Sequence, residues 1–178
     1  MYGIIYVAIK DYAEAAFGTE TWQNIVAESG LNLNFNLTEQ PYNEDTVTAF
    51  ASAIAKVTGI GTDEALYKTG YQIAGTTAQK YPDVMLSRGD TIQEYFLNLP
   101  AFHNRISLIY PELTAPEFRI TEAHDRTMVM EYLYKRKEFW PYVHGYLAGI
   151  GHYFDRNARV TPLPEKTTAS HMVYKISW

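Results

Sequence analysis

"EFRITEAHDRTMVMEYLYKR", residues 117–136, alternates side chains in steps of two, whereas almost everything before it repeats apolar residues at three- and four-residue steps. It reads as two strands, with His124-Asp125 marking the joint of a hairpin. Upstream, Ile4, Ile5, Ala8, Ile9, Tyr12 and Ala16 form a helical face ending near Gly18. "TETWQNIVAESG" (19–30) reads as a short helix capped by Thr19 and Gly30, and two more periodic segments follow before Pro82. The stretch from Ser87 to Leu113 places Ile92, Phe96, Leu99, His103, Ile106 and Ile109 or Tyr110 on one stripe, with Pro100 expected to kink or break the helix near Leu99. Downstream, "EFWPYVHGYLAGIGHYF" (138–154) is helical again, with Phe139, Tyr142, Val143, Tyr146, Leu147 and Ile150 apolar. "ARVTPL" and "SHMVYKISW" supply two closing strands. Helices first, then strands enclosing a helix, predict an α+β fold: an N-terminal helical part and an antiparallel four-stranded sheet with a long helix between its strand pairs.

At 178 residues the chain is expected to form a single domain, 1–178, with a core of its own. It is 47% hydrophobic and 20% charged, with a net charge of -5 and scattered basic residues, so neither a nucleic-acid footprint nor a polybasic membrane patch is visible. There is no apolar run long enough to span a bilayer, and "MYGIIYVAIKDYAEAAFG" has no basic start or cleavage site, so a cytoplasmic location is expected. The absence of cysteine excludes disulfides, thiolate zinc sites, iron–sulfur clusters and a cysteine nucleophile.

His103 is a solitary imidazole on an apolar stripe, which reads in two ways. It is a core residue bonded to a neighbouring carbonyl, or it is the one donor that a haem iron takes from an apolar wall, leaving the sixth position open. The other histidines offer no H-x-x-x-H or H-E-x-x-H pattern, since His144 and His152 lie eight apart and His124 and His171 are remote. No G-x-S-x-G elbow, G-x-G-x-x-G fingerprint or P-loop occurs, so hydrolase and nucleotide readings are weak and an enzyme is not expected. Tyr132, Tyr134 and Arg136 alternate at a strand end. They either cover a solvent face or direct two hydroxyls and a guanidinium at a carboxylate such as a haem propionate.

The opening "MYGII", the tryptophan of "TWQNIV", "NLPAFHNRISLIYPEL", "PEFR", the Y-x-Y-x-R position and the G-x-x-x-G of "GYLAG" together resemble the haem-nitric oxide/oxygen binding (H-NOX) domains, related to the haem domain of soluble guanylate cyclase. The similarity runs the whole chain. It implies haem b (iron protoporphyrin IX) buried between the helical part and the sheet, with His103 as the proximal iron ligand. Tyr132 and Arg136 would hold the propionates, and Ile5 and Pro116 would press on the porphyrin. The family's motif carries serine where this chain has Tyr134, whose hydroxyl lies farther from the backbone.

The resemblance also implies a distal gas pocket. In oxygen-binding members a tyrosine three residues before a glycine donates a hydrogen bond to the gas, and here Tyr142 stands three before Gly145, with Ile9 and Ile73 as apolar wall residues. Tyr142 is otherwise a packing residue. The implied function is a haem-based sensor of NO, O2 and CO that signals through loss or strain of the iron–histidine bond to a separate partner, a histidine kinase or diguanylate cyclase. The alternative is a haem-free small-molecule or protein interaction module in which His103 is structural.

Overall fold

Seven α-helices and one four-stranded antiparallel sheet make up the described residues of the computed structural model, which are 4–32, 44–109, 117–133 and 136–178. The helices are α1 (Ile4–Phe17), α2 (Thr19–Ser29), α3 (Glu44–Thr58), α4 (Thr62–Lys80), α5 (Pro82–Leu86), α6 (Ile92–Ile109) and α7 (Trp140–Phe154). The strands are β1 (Glu117–His124), β2 (Thr127–Leu133), β3 (Arg159–Pro162) and β4 (His171–Ser177). This is the α+β arrangement expected from the change of period, with α7 between the two strand pairs.

The chain divides into two compact units, Met1–Lys80 with Pro141–Gly149, and Tyr81–Trp140 with Ile150–Trp178. In the first, α1 packs against α2, α3 and α4, which explains why it buries Tyr6 and Val7 as well as Ala8, Ile9 and Ala13 while Ala16 stays exposed. Trp22 of α2 stacks on Phe50 of α3 with ring centroids 5.9 Å apart. Thr19 does not cap α2: Gly18, at φ 85°, occupies the N-cap position with no side-chain bond, and Thr19 is the first helical residue. At the other end Gly30 turns left-handed at φ 65°, and its N–H donates to the Ala27 carbonyl. Helix α3 opens with Glu44 and Asp45 and closes with Lys56, charges that complement the helix dipole at both ends.

The same first unit contains a glycine contact that sets α7 against α4. A Cβ on Gly70 of α4 would strike the Tyr142 carbonyl, 2.9 Å from its carbon, and one on Gly145 of α7 would lie 2.7 Å from the Tyr67 carbonyl carbon and 2.9 Å from the Tyr71 nitrogen. Gly149, one turn on, would meet the Tyr71 carbonyl carbon at 3.0 Å. The two helices therefore touch backbone to backbone, which only glycine permits.

In the second unit the strand order is β1-β2-β4-β3, every neighbour antiparallel. The central strands β2 and β4 bury Met128, Val129, Met130, Tyr132, Val173, Tyr174 and Ile176, and a register shift between Ile120 and Glu122 bends the edge strand β1. Helix α6 starts from a reciprocal cap: the Thr91 hydroxyl accepts from the Glu94 N–H at 3.2 Å, and the Glu94 carboxylate accepts from the N–H groups of Asp90 and Thr91. It runs unbroken through Pro100, burying Ile92, Tyr95, Phe96 and Leu99. Of the kink or break expected near Leu99, the break does not occur, and the stripe does not reach the end of the helix, because Ile109 is exposed. Tyr110, the alternative last position, lies outside the described residues.

Candidate functional site

His103 follows Pro100 by three residues, within the turn where α6 lacks the proline N–H that the Phe96 carbonyl would otherwise accept. The residue is half-buried as a whole, but its Nε2 is out of contact with solvent. Its ring meets Phe102 edge-on at 5.6 Å and Phe118 of β1 at 5.2 Å. Burial, and then the positive charge of Arg88, lower its pKa from the usual 6.5 to about 3. The imidazole is therefore neutral near pH 7 and carries the nitrogen lone pair that metal ligation requires.

Strand register carries the site onward from His103. Phe118 and Tyr132 are direct partners across β1 and β2, their rings 5.5 Å apart, so one aromatic links His103 to Tyr132. Tyr132 is 2% exposed and belongs to the buried face of the sheet. The described part of β2 runs to Leu133, and Arg136, in extended backbone, precedes a 3-10 turn at Lys137–Phe139. Arg136 Nε donates to Glu138 at 2.8 Å, holding that carboxyl below its ordinary pKa, and the guanidinium lies 5.3 Å from the Phe139 ring. Tyr134 and Pro116 lie outside the described residues.

Arg88, in the turn after α5, gave no signal as a site residue. In "SRGD" it reads as a solvent-facing turn, yet it is 4% exposed. Its Nη1 donates to the Val84 carbonyl and the Tyr95 hydroxyl, both at 2.9 Å, and its guanidinium carbon sits 3.4 Å over the Phe102 ring. The Asn98 side-chain amide donates to the Arg88 carbonyl at 2.8 Å, tying the turn to α6.

The residues expected on the distal side, Tyr142, Ile9 and Ile73, all fall in the first unit, as does Ile5, expected against the porphyrin. Ile5 and Ile9 lie one turn apart on α1, Ile5 half-buried and Ile9 fully buried, and α1 packs on α4, which carries the buried Ile73. The close approach at Gly70 sets Tyr142 about one turn of α4 from Ile73. Tyr142 is 7% exposed, and its pKa is pushed up by burial, then by Tyr146 and Glu44, so its hydroxyl keeps its proton and can donate. Gly70 did carry a signal, since a glycine inside a helix costs about 1 kcal/mol relative to alanine and asks for a packing reason.

The remaining histidines with described contacts are engaged locally: His144 contacts the Tyr67 ring, His152 Nε2 is 3.1 Å from the Ala158 carbonyl oxygen, and His171 Nδ1 is 2.9 Å from the Thr168 hydroxyl. Among the described residues no three His, Asp or Glu side chains gather as a metal cluster, and no helix is long and apolar enough to cross a membrane.

A family model described as Haem-NO-binding matches residues 2–162. Soluble guanylate cyclase gcy-31 of Caenorhabditis elegans is 24% identical over 84% of this chain and 22% of its own length. Soluble guanylate cyclase 89Db of Drosophila melanogaster is 22% identical over 86% and 23%. The chain thus spans less than a quarter of the length of these relatives. Among solved structures, the Fe(II) unliganded H-NOX protein from K. algicida shares the fold at a TM-score of 0.76 and 18% identity, over 99% of this chain and 96% of that one. The H-NOX from Shewanella woodyi in its Fe(II)CO ligation state does so at 0.78 and 19%, over 99% and 94%. A match over nearly the full length, on the fold those structures share, establishes that the chain belongs to the haem-NO-binding (H-NOX) family of haem-based gas-sensing domains.

Proposed function

We propose that residues 1–178 act as one gas-sensor domain carrying haem b, with His103 as the iron ligand, and that the protein responds to NO, O2 and CO. The observation that carries this reading is the His103 imidazole, set between the rings of Phe102 and Phe118 with its Nε2 shut off from solvent, in a chain of this family. The donor set suits the group. A neutral imidazole nitrogen binds ferrous iron, and a phenol and a guanidinium, those of Tyr132 and Arg136, suit two carboxylates. Haem, when bound, supplies a ferrous iron with an open position for a diatomic gas.

His103 holds the iron through Nε2 and so couples it to α6. Tyr132 and Arg136 would hold the propionates, Arg136 giving up its Glu138 partner to do so; Tyr134 and Pro116 complete the set inferred from the family. Ile5 presses on the porphyrin. Tyr142 donates a hydrogen bond to a polar diatomic ligand, and Ile9 and Ile73 exclude water from it. Because His103 is carried by α6, a change at its imidazole would be passed to that helix, the element a ligand would bias between two states. The output passes to a separate histidine kinase or diguanylate cyclase, the domain itself being a sensor and not a catalyst, and it operates in the cytoplasm.

Absorption spectra of the haem-loaded protein, reduced without oxygen and then exposed to O2 and NO, test the reading alongside His103→Gly. The wild type should give a five-coordinate ferrous spectrum that changes with NO. The variant should hold haem well only when imidazole is added. Wild-type spectra from His103→Gly would refute the ligand assignment.

A further inference from the structure

Arg88 is a buried cation with unusual company. Besides its two Nη1 bonds, its Nε is buried and has no acceptor, and among the described residues no carboxylate lies within ion-pair distance. Its charge is met instead by ring faces, Phe102 at 3.4 Å and Tyr95 at 5.3 Å. A buried charge without a counter-ion is unfavourable for folding, and an apolar side chain of similar volume would serve packing at least as well. The position gives the charge a use: Phe102 precedes His103 in the chain, and their rings are in edge contact at 5.6 Å, so the guanidinium stands one ring away from the imidazole.

We propose that Arg88 is a charge-tuning and positioning residue for His103, favouring the ferrous over the ferric state of the bound haem and weakening the iron–histidine bond. This rests on the reading of His103 as the iron ligand. Oxidation of the iron adds one positive charge and releases one electron to the external oxidant. A fixed cation nearby, in surroundings of low dielectric, disfavours that added charge. The same cation draws electron density from the imidazole and makes it a weaker donor, in the manner by which groups around a metal ligand set its basicity. A weaker bond would also be the more easily released one.

The test uses the full chain loaded with haem, as wild type, Arg88→Met and Arg88→Gln. Met removes the charge and keeps apolar volume, while Gln removes the charge and keeps an amide donor at about the place of the lost Nε. The readouts are the ferric/ferrous midpoint potential and the iron–histidine stretching frequency of the unliganded ferrous protein. Both variants should shift the potential downward and the stretch upward, with the haem-free unfolding temperature of Arg88→Met at or above that of the wild type. Wild-type potential and stretch in both variants would overturn the proposal, as would a shift in Met that Gln does not share, which would assign the effect to hydrogen bonding instead of charge. A wild type without an iron–histidine band would defeat the His103 reading, and this inference with it.

Discussion

Replacing Gly145 by alanine should destabilise the protein by about 2 kcal/mol, the difference between an overpacking cost near 3 kcal/mol and a helix-propensity gain near 1 kcal/mol. The new Cβ would lie 2.7 Å from the Tyr67 carbonyl carbon and 2.9 Å from the Tyr71 nitrogen. Both are backbone atoms of α4, so no side chain can swing aside and the two helices must separate. For a chain of 178 residues, a loss of that size lowers the unfolding temperature by about 4–8 °C. Gly75→Ala is the matched control on α4. Its Cβ would meet the Gln72 side chain at 3.8 Å, an ordinary contact, so the propensity gain stands and the unfolding temperature rises by about 2–4 °C. Thermal and urea unfolding of the haem-free protein read both variants without ligand linkage. If Gly145→Ala were as stable as the wild type while Gly75→Ala gained, the backbone contact between α4 and α7 would not be the reason for glycine there.

Tyr142→Phe should speed O2 dissociation about fivefold, the equivalent of one neutral hydrogen bond of about 1 kcal/mol, and leave CO and NO kinetics nearly unchanged in stopped-flow traces. Arg136→Met should accelerate haem loss to an apoglobin acceptor by about 10- to 100-fold, as removal of a charge-assisted bond implies. Glu138→Gln, at an ion pair open to solvent, should leave the unfolding midpoint within about 1 kcal/mol of the wild type. Tyr174→Phe removes the bond its hydroxyl donates to the Trp140 carbonyl at 3.0 Å and should cost about 1 kcal/mol in urea unfolding, with the buried ring still filling its space.

The main elements were legible because each carried its own period and its own stop. Helix α1 ends before Gly18 and α2 before Gly30, and the turn to alternation after residue 116 separates helices from strands. Helix α5 was not legible: five residues are too few for a period, and its only mark is Pro82 at the first turn. Ile109 fits the apolar stripe of α6 yet is exposed, since periodicity names a face without saying how far along the helix a partner extends. His103 stood out as a lone imidazole among apolar residues, but its neutral state depends on Phe118 from β1 and on the charge of Arg88, neither of which is visible from local spacing. Arg88 itself was hidden because the rings that bury it, Tyr95 and Phe102, arrive later in the chain, two helical turns apart on α6 and behind a turn that reads as polar.

The interleaving of α7 sets an order on how the protein comes into being. The stretch that completes the first unit, Pro141–Gly149, is synthesised only after the whole of α5, α6, β1 and β2, so the nascent segment up to Lys80 emerges with the groove at Gly70 unfilled. Closing that unit requires a loop running from Lys80 to Pro141, an entropic step that grows slowly with length but cannot begin until the chain is long enough. A fragment ending at residue 80 should expose the surface around Gly70 that α7 covers and aggregate more readily than the full chain.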